Sequence, residues 1–373
     1  LGGFTLNNVK GQSFVKNSLK KLIESGKIPH AFLFCGPSGV GKEFMAFEFA
    51  KMICRSELSP EISEKAAAGI SNLNEPYVKY IMPLPRGKNE GDDSAPLDKL
   101  SAEEIKSVNE ELSKKIINPY YKISIPKANT VKINSIRDIK KFISLNYDDL
   151  KYRFIIISNA ELMNETSQNA LLKSLEEPPE GVIFILVISN TAKIRETILS
   201  RCWRINFSPL QNSEVAGVLT EYFKIDDKIA AEVSGFSNGS VTEALNLIDH
   251  DFGFLLEKTI LFLRYSLGKK YHSAVKELNM VNDIAGSQSI KLLIKMIIYW
   301  FNDFERLRGG EHEGFYFAAH SETFKRFYQR YPNIRTENLV YNLEYLSSLI
   351  EQNINLNIIN ANIIFELSCL VSE

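Results

Sequence analysis

The sequence predicts an α/β module, a parallel sheet with helices on both faces, followed by a small helical lid and an all-helical C-terminal domain. Three observations predict it. Short apolar runs alternate with helical stretches between residues 4 and 207, the pattern of a parallel sheet wrapped by helices. A glycine-rich turn joins the first apolar run to the helix after it, and no strand pattern recurs beyond residue 251. At 373 residues, with 45% hydrophobic and 24% charged residues, the chain has the length of two or three domains and an ordinary globular composition. We divide it into a nucleotide-binding-like domain, 1–207, interrupted by an insertion around 55–127, a helical lid, 208–250, and a helical domain, 251–373.

Ala31-Phe32-Leu33-Phe34-Cys35 reads as a buried strand, and residues 44–52 as a helix, with Phe44, Phe47, Ala50 and Lys51 at helical spacing. The insertion is rich in Lys, Glu, Asn and Pro, and its 84–93 stretch reads as a solvated loop. A helix is predicted over 101–117, because Ser101 followed by Glu104 makes a capping box. We read this segment as an insertion without a chemical site. A helix over 133–144 precedes a strand over 153–158. The helix over 165–177 ends at Pro178-Pro179 and presents Leu171 and Leu175 to the sheet. Strands follow over 182–189 and 203–207. Beyond Pro209, short helices over 229–233 and 241–248 are set apart by Gly235 and Gly239. Amphipathic runs over 290–301 and 339–350 complete the helical domain, and no internal repeat is visible.

The turn after the first strand is Gly36-Pro37-Ser38-Gly39-Val40-Gly41-Lys42, a phosphate loop in its expected strand-to-helix setting. In such loops backbone N–H groups face the phosphates, the lysine reaches the outer ones, and a Ser or Thr hydroxyl in the next position ligates magnesium. Here that position is Glu43. A carboxylate at roughly 4 Å from a phosphate, at an effective dielectric near 20, is repelled by on the order of 4 kcal/mol. Lys42 offsets about as much, which leaves no net attraction unless Glu43 itself ligates the metal.

The net charge of −1 argues against a self-sufficient nucleic-acid binder. Cys35, Cys54, Cys202 and Cys369 stand far apart, a spacing that fits neither a zinc site nor a disulfide scaffold. The longest apolar runs are too short to span a bilayer, so we expect a cytoplasmic protein without a membrane partner.

Three motifs stand in order: the phosphate loop, Asn169-Ala170-Leu171-Leu172-Lys173-Ser174-Leu175-Glu176-Glu177-Pro178-Pro179, and Ser200-Arg201-Cys202. With them the chain resembles the bacterial clamp-loader subunits of the AAA+ superfamily over roughly its first 250 residues. Beyond, only an Asn-rich approach to a final apolar helix near Leu370 is similar to the family's last collar helix. In the hydrolysing members the second motif closes with an Asp-Glu pair that organises the metal and activates water. The matching positions here are Ser158 and Asn159, neither of which acts as a carboxylate base. Glu161 lies two residues beyond them. The lid arginine of those members is replaced by Thr242 in Gly239-Ser240-Val241-Thr242, and Ser189 and Asn190 stand where a polar sensor is expected.

The resemblance thus implies a site that is degenerate in cis and a working arginine in trans. Arg201, with Ser200 and Cys202, matches the finger that enters a neighbouring subunit's nucleotide site, where a guanidinium stabilises charge developing on the transferred phosphoryl group. Cys202 reads as a packed residue, not a nucleophile, and the family's four-cysteine zinc module is missing. Such a subunit resembles the delta-prime type, whose implied partners are gamma/tau-like and delta-like subunits, the sliding clamp and primer-template DNA. No cofactor is required and zinc is not expected. The rival is an ATP-hydrolysing clamp-loader subunit in which Glu43 ligates the metal and Glu161 is the base. A helicase loader with its own basic domain is disfavoured by the charge and by the Ser-Arg-Cys triplet.

Overall fold

A computed structural model of the chain describes residues 6–91, 94–144, 151–311, 313–332, 334–352 and 354–370. The chain divides into two compact units, Leu1–Ser234 with Asn238–Thr242, and Gly235–Ser237 with Glu243–Glu373. The 208–250 segment expected as a lid is therefore shared between them.

The sheet of the first unit comprises β1 (Ala31–Cys35), β2 (Val78–Ile81), β3 (Arg153–Ile157), β4 (Val182–Ile188) and β5 (Trp203–Asn206). All pair in parallel, in the order β2-β3-β4-β1-β5. Around it lie α1 (Ser13–Glu24), α2 (Lys42–Glu57), α3 (Pro60–Ser71), α4 (Ala102–Ile117), α5 (Ile133–Ser144), α6 (Glu165–Glu176), α7 (Glu196–Leu199) and α8 (Asn212–Phe223). A parallel sheet covered on both faces needs uninterrupted apolar strands, and every residue of β1 and β4 is buried. Alternate residues serve opposite layers. Ala31, Leu33 and Cys35 join the core with Phe142 of α5 and with Leu171 and Leu175 of α6. Phe32 and Phe34 turn the other way, their rings 5.1 and 6.5 Å from that of Phe49 on α2. Each such buried ring contributes roughly 2–3 kcal/mol.

The expected fold class is what the chain adopts, with two corrections inside the insertion. Its Val78-Lys79-Tyr80-Ile81 forms β2, the sheet's edge, with Val78 opposite Phe154 and Ile81 opposite Ile157. Four residues with a lysine among them make a weak signal in a polar stretch. The 84–93 stretch is a solvated loop only in part: Arg86, Lys88, Asn89 and Gly91 are exposed, but others are anchored. Leu84 is buried, and Glu90 pairs with Lys132 at 2.7 Å, both largely withdrawn from water. Gly87 N–H and Asn134 also donate to Glu90, so the carboxylate has the partners that burial demands. Asp92 and Asp93 lie outside the described residues. The capping box at Ser101 and Glu104 is present and opens α4. Ser158 and Ser189, expected as the last residues of their strands, stand just past the ends of β3 and β4.

α9 (Asp227–Phe236) and α10 (Val241–Asp249) each contribute residues to both units. The second unit continues with α11 (Phe252–Leu267), α12 (Tyr271–Ala285), α13 (Ser287–Arg308), α14 (Ser321–Arg330), α15 (Glu337–Glu351) and α16 (Leu356–Leu370). Its core gathers Phe301, Phe304 and Phe317. The Asp303 carboxylate, buried beneath them, accepts the N–H groups of Tyr316 and Phe317 at 3.0 and 2.8 Å. Among the described residues no helix is long and apolar enough to cross a membrane.

Candidate functional site

β1 is flanked by β4 and β5, so the chain's crossovers leave the sheet in opposite directions there and open a crevice beyond the strand carboxyl ends. The loop from Gly36 to Lys42 fills the edge of that crevice, and α2 starts at Lys42. A cleft of about 370 Å³ is lined by Gly39, Lys42, Glu43, Ser158, Asn159 and Ser189, among others. Residues read from three separate stretches of sequence are thus brought together.

Lys42 lines the cleft without reaching across it. Its ammonium turns back onto its own loop, donating to the carbonyls of Gly36 at 2.6 Å and Pro37 at 2.5 Å, with the Ser189 hydroxyl at 3.4 Å. The residue is only 6% exposed. Burial lowers its pKa to about 8, against the opposing pull of Glu161 and Glu43.

Glu43 is neutralised from an unexpected direction. Lys115, in the last turn of α4, places its ammonium 2.6 Å from Glu43 Oε2. Tyr80 of β2 donates to the same oxygen at 3.2 Å, and the Ser158 hydroxyl donates to Oε1. Burial opposes the charge, yet Lys115, Ser158 and Tyr80 together hold the carboxyl below its ordinary range. The cation that pairs with Glu43 is thus Lys115. The insertion, read as without a chemical site, thereby supplies part of the lining of this cleft. The only signals in the sequence were the capped helix and the Lys114-Lys115 pair at its end, and nothing local ties that pair to Glu43.

The remaining positions also have defined partners. Asn159 donates to Ser158 at 3.2 Å. Glu161 accepts the N–H of Ser189 at 2.8 Å, so its carboxylate braces the end of β4. Gly239 to Thr242 close onto the phosphate loop: Ser240 donates to the Ser38 carbonyl at 2.8 Å, Val241 N–H to the Gly39 carbonyl at 3.2 Å, and the Ser38 and Thr242 hydroxyls stand 3.4 Å apart. Asn190 instead caps the short turn after β4 through Ala192 N–H at 2.9 Å.

Arg201 does not line this cleft. It follows α7, about one-third exposed, with Nη2 2.9 Å from Glu176 Oε1 and Nη1 donating to the Thr197 carbonyl at 2.8 Å. Ser200 lines a separate groove with Leu199 and Arg204. Cys202 packs against the sheet's core, and burial, reinforced by nearby Cys35, pushes its thiol up to about 12. It is held protonated at neutral pH, which removes its nucleophilic form.

The family described as DNA polymerase III, delta subunit, matches residues 11–211, more than half of the chain and all of the cleft-bearing sheet. The chain belongs to the DNA polymerase III delta subunit family. The clamp-loader AAA+ resemblance read from the sequence thus holds at the family level. Curated relatives of this family member include DNA polymerase III subunit gamma of Buchnera aphidicola subsp. Schizaphis graminum, 28% identical over 66% of the chain and 58% of that protein. Another is DNA polymerase III subunit tau of Bacillus subtilis, 27% identical over 66% of the chain and 38% of that protein. The chain therefore spans little more than half, or less, of the length of these relatives. A crystal structure of a DNA polymerase III gamma subunit-related protein from Thermotoga maritima is similar over 95% of the chain and 99% of its own, at 15% identity and a TM-score of 0.43.

Proposed function

We propose that the chain is a non-hydrolysing, delta-prime-like subunit of the replicative clamp loader, supplying Arg201 in trans to a neighbouring ATPase subunit while the sliding clamp is loaded on primed DNA. The observation that carries this reading is the end of β3. A hydrolysing site needs a carboxylate there to activate water, and this chain has Ser158 and Asn159, with Ser158 hydrogen-bonded to Glu43. Glu161, the other candidate base, has one carboxylate oxygen engaged with the Ser189 N–H.

Arg201 is suited to work outside its own chain because it stands away from its own cleft. Its pair with Glu176 is half-exposed, and such surface pairs are worth at most about 1 kcal/mol, so insertion into a neighbour costs little. The second unit supports assembly. Tyr341 and Tyr345, four apart on α15, and Ile358 and Phe365, seven apart on α16, are all more than half exposed, as a helical collar would require. Residues 208–250 then act as the lid and 251–373 as the collar, in the cytoplasm, with gamma/tau-like and delta-like partners. Neither nucleotide nor zinc is needed by this subunit.

The gamma and tau names of the curated relatives favour a second reading, an ATP-hydrolysing subunit with Glu43 on the metal and Glu161 as base. Reconstitution with partner subunits separates the two. Arg201→Ala should lower DNA-stimulated turnover about 10³-fold at the single site it serves, while Lys42→Ala leaves turnover nearly intact. A comparable loss on Lys42→Ala, or phosphate release by the chain alone with MgATP, would establish the second reading instead.

A further inference from the structure

The phosphate-loop motif implies magnesium, held by the residue after the loop lysine. The donors present do not fit it. Magnesium requires oxygen ligands at about 2.0–2.1 Å in near-octahedral array. Glu43 Oε2 already carries the Lys115 ammonium at 2.6 Å and the Tyr80 hydroxyl at 3.2 Å, and Oε1 takes the proton of the Ser158 hydroxyl. A dication on the same oxygen would stand against an ammonium that has nowhere else to go.

We propose that Lys115 is the resident cation of this cleft, a tethered ammonium that takes the metal's role toward Glu43 and excludes divalent ions from it. An ammonium has three donors, and all three of Lys115's are placed: on Glu43, on the Pro119 carbonyl at 2.9 Å and on the Tyr121 carbonyl at 2.7 Å. The side chain is 4% exposed, so no water competes for them. The element delivering it is anchored at both ends. The capping box holds the start of α4. After its last turn, the Tyr120 ring packs 5.3 Å from Phe44 and 4.9 Å from Tyr222, and Asn118 donates to the Tyr222 carbonyl at 3.0 Å. The insertion is thus a built-in occupant, and its removal at one atom should expose a carboxylate and a hydroxyl, Glu43 and Ser158, arranged for a divalent cation.

This inference rests on the cleft being non-hydrolysing but not on the trans role of Arg201. Its test uses the intact chain alone, with Mn²⁺ followed by electron paramagnetic resonance. The wild type should show no Mn²⁺ site that depends on Glu43. Lys115→Met should gain a site at least about tenfold tighter than any wild-type binding, Lys115→Arg should gain none, and Lys115→Met with Glu43→Gln should lose it again. If Lys115→Met does not fold unaided, millimolar Mn²⁺ should restore its folding where sodium chloride of equal ionic strength does not. A folded Lys115→Met without added Mn²⁺ binding, an unfolded one that Mn²⁺ fails to restore, or a Glu43-dependent site in the wild type each overturns the proposal. Loss of turnover on Arg201→Ala in the reconstituted complex is unaffected by any of these results.

Discussion

Lys42 is the residue whose chemistry departs furthest from what its motif suggests. A lysine free to reach a polyanion stays charged through the physiological range, whereas this one is buried against two carbonyls with a pKa near 8. Below about pH 8 it is protonated in both folded and unfolded chains, and folding carries the full cost of burying the charge. Between about 8 and 10.5 the folded chain has released the proton while the unfolded chain keeps it, so stability rises with pH. Lys42→Met should remove that rise, and urea melts of the two proteins at about pH 7 and about pH 10.5 should differ in their change by on the order of 3 kcal/mol. Equal pH dependence in the two would contradict the buried, down-shifted lysine. Glu43 shows the opposite sense: its depressed value makes its contribution present above the ordinary carboxylate range and lost as the pH falls through the folded value.

At the scale of elements, the loop owes its shape to what closes over it. Gly39 has φ +74°, and a Cβ there would meet Thr242 N at 2.4 Å, because the segment before α10 hydrogen-bonds directly to the loop. Gly26 has a similar φ of +66° but open space around it. Gly39→Ala should therefore cost about 3 kcal/mol and Gly26→Ala about 1 kcal/mol in denaturant melts, since only the first adds a clash to the left-handed backbone. Equal costs would mean that the contact with Thr242 is not maintained in solution. The strands flanking the cleft were legible in sequence because β1, β3 and β4 are runs of apolar residues buried on both faces. β2 was not, because an edge strand of four residues is held by its partner β3 more than by its own composition. α4 was legible through Ser101 and Glu104, whose capping bonds are local. The destination of Lys115 was not, because the bond it makes is to another element entirely.

At the scale of the molecule, the cleft-bearing unit and the helical unit divide the work of the proposed subunit. The first holds the cleft in which Glu43 is paired with Lys115, and the second exposes Tyr341, Tyr345, Ile358 and Phe365. Replacing Tyr345 and Phe365 together by serine should weaken association with partner subunits by tenfold or more, with the chain's own melting temperature almost unchanged. Size-exclusion of the reconstituted mixture and thermal melts of the chain alone read the two effects separately. A large drop in melting temperature would place those side chains in the fold itself.

What the sequence determined by itself follows from local chemistry. Apolar runs make strands, glycines make the phosphate loop, and Ser101 with Glu104 starts a helix; that Ser158, Asn159 and Thr242 stand where hydrolysing relatives carry carboxylates and an arginine is implied by the resemblance alone. What only the tertiary structure decided is where the charges find their partners. Lys42 is turned inward by the carbonyls of its own loop, and Glu43 meets Lys115, Tyr80 and Ser158 from three separate stretches of the chain. The strength of an ion pair depends on distance and burial in space, and neither is written in the spacing of residues along the chain.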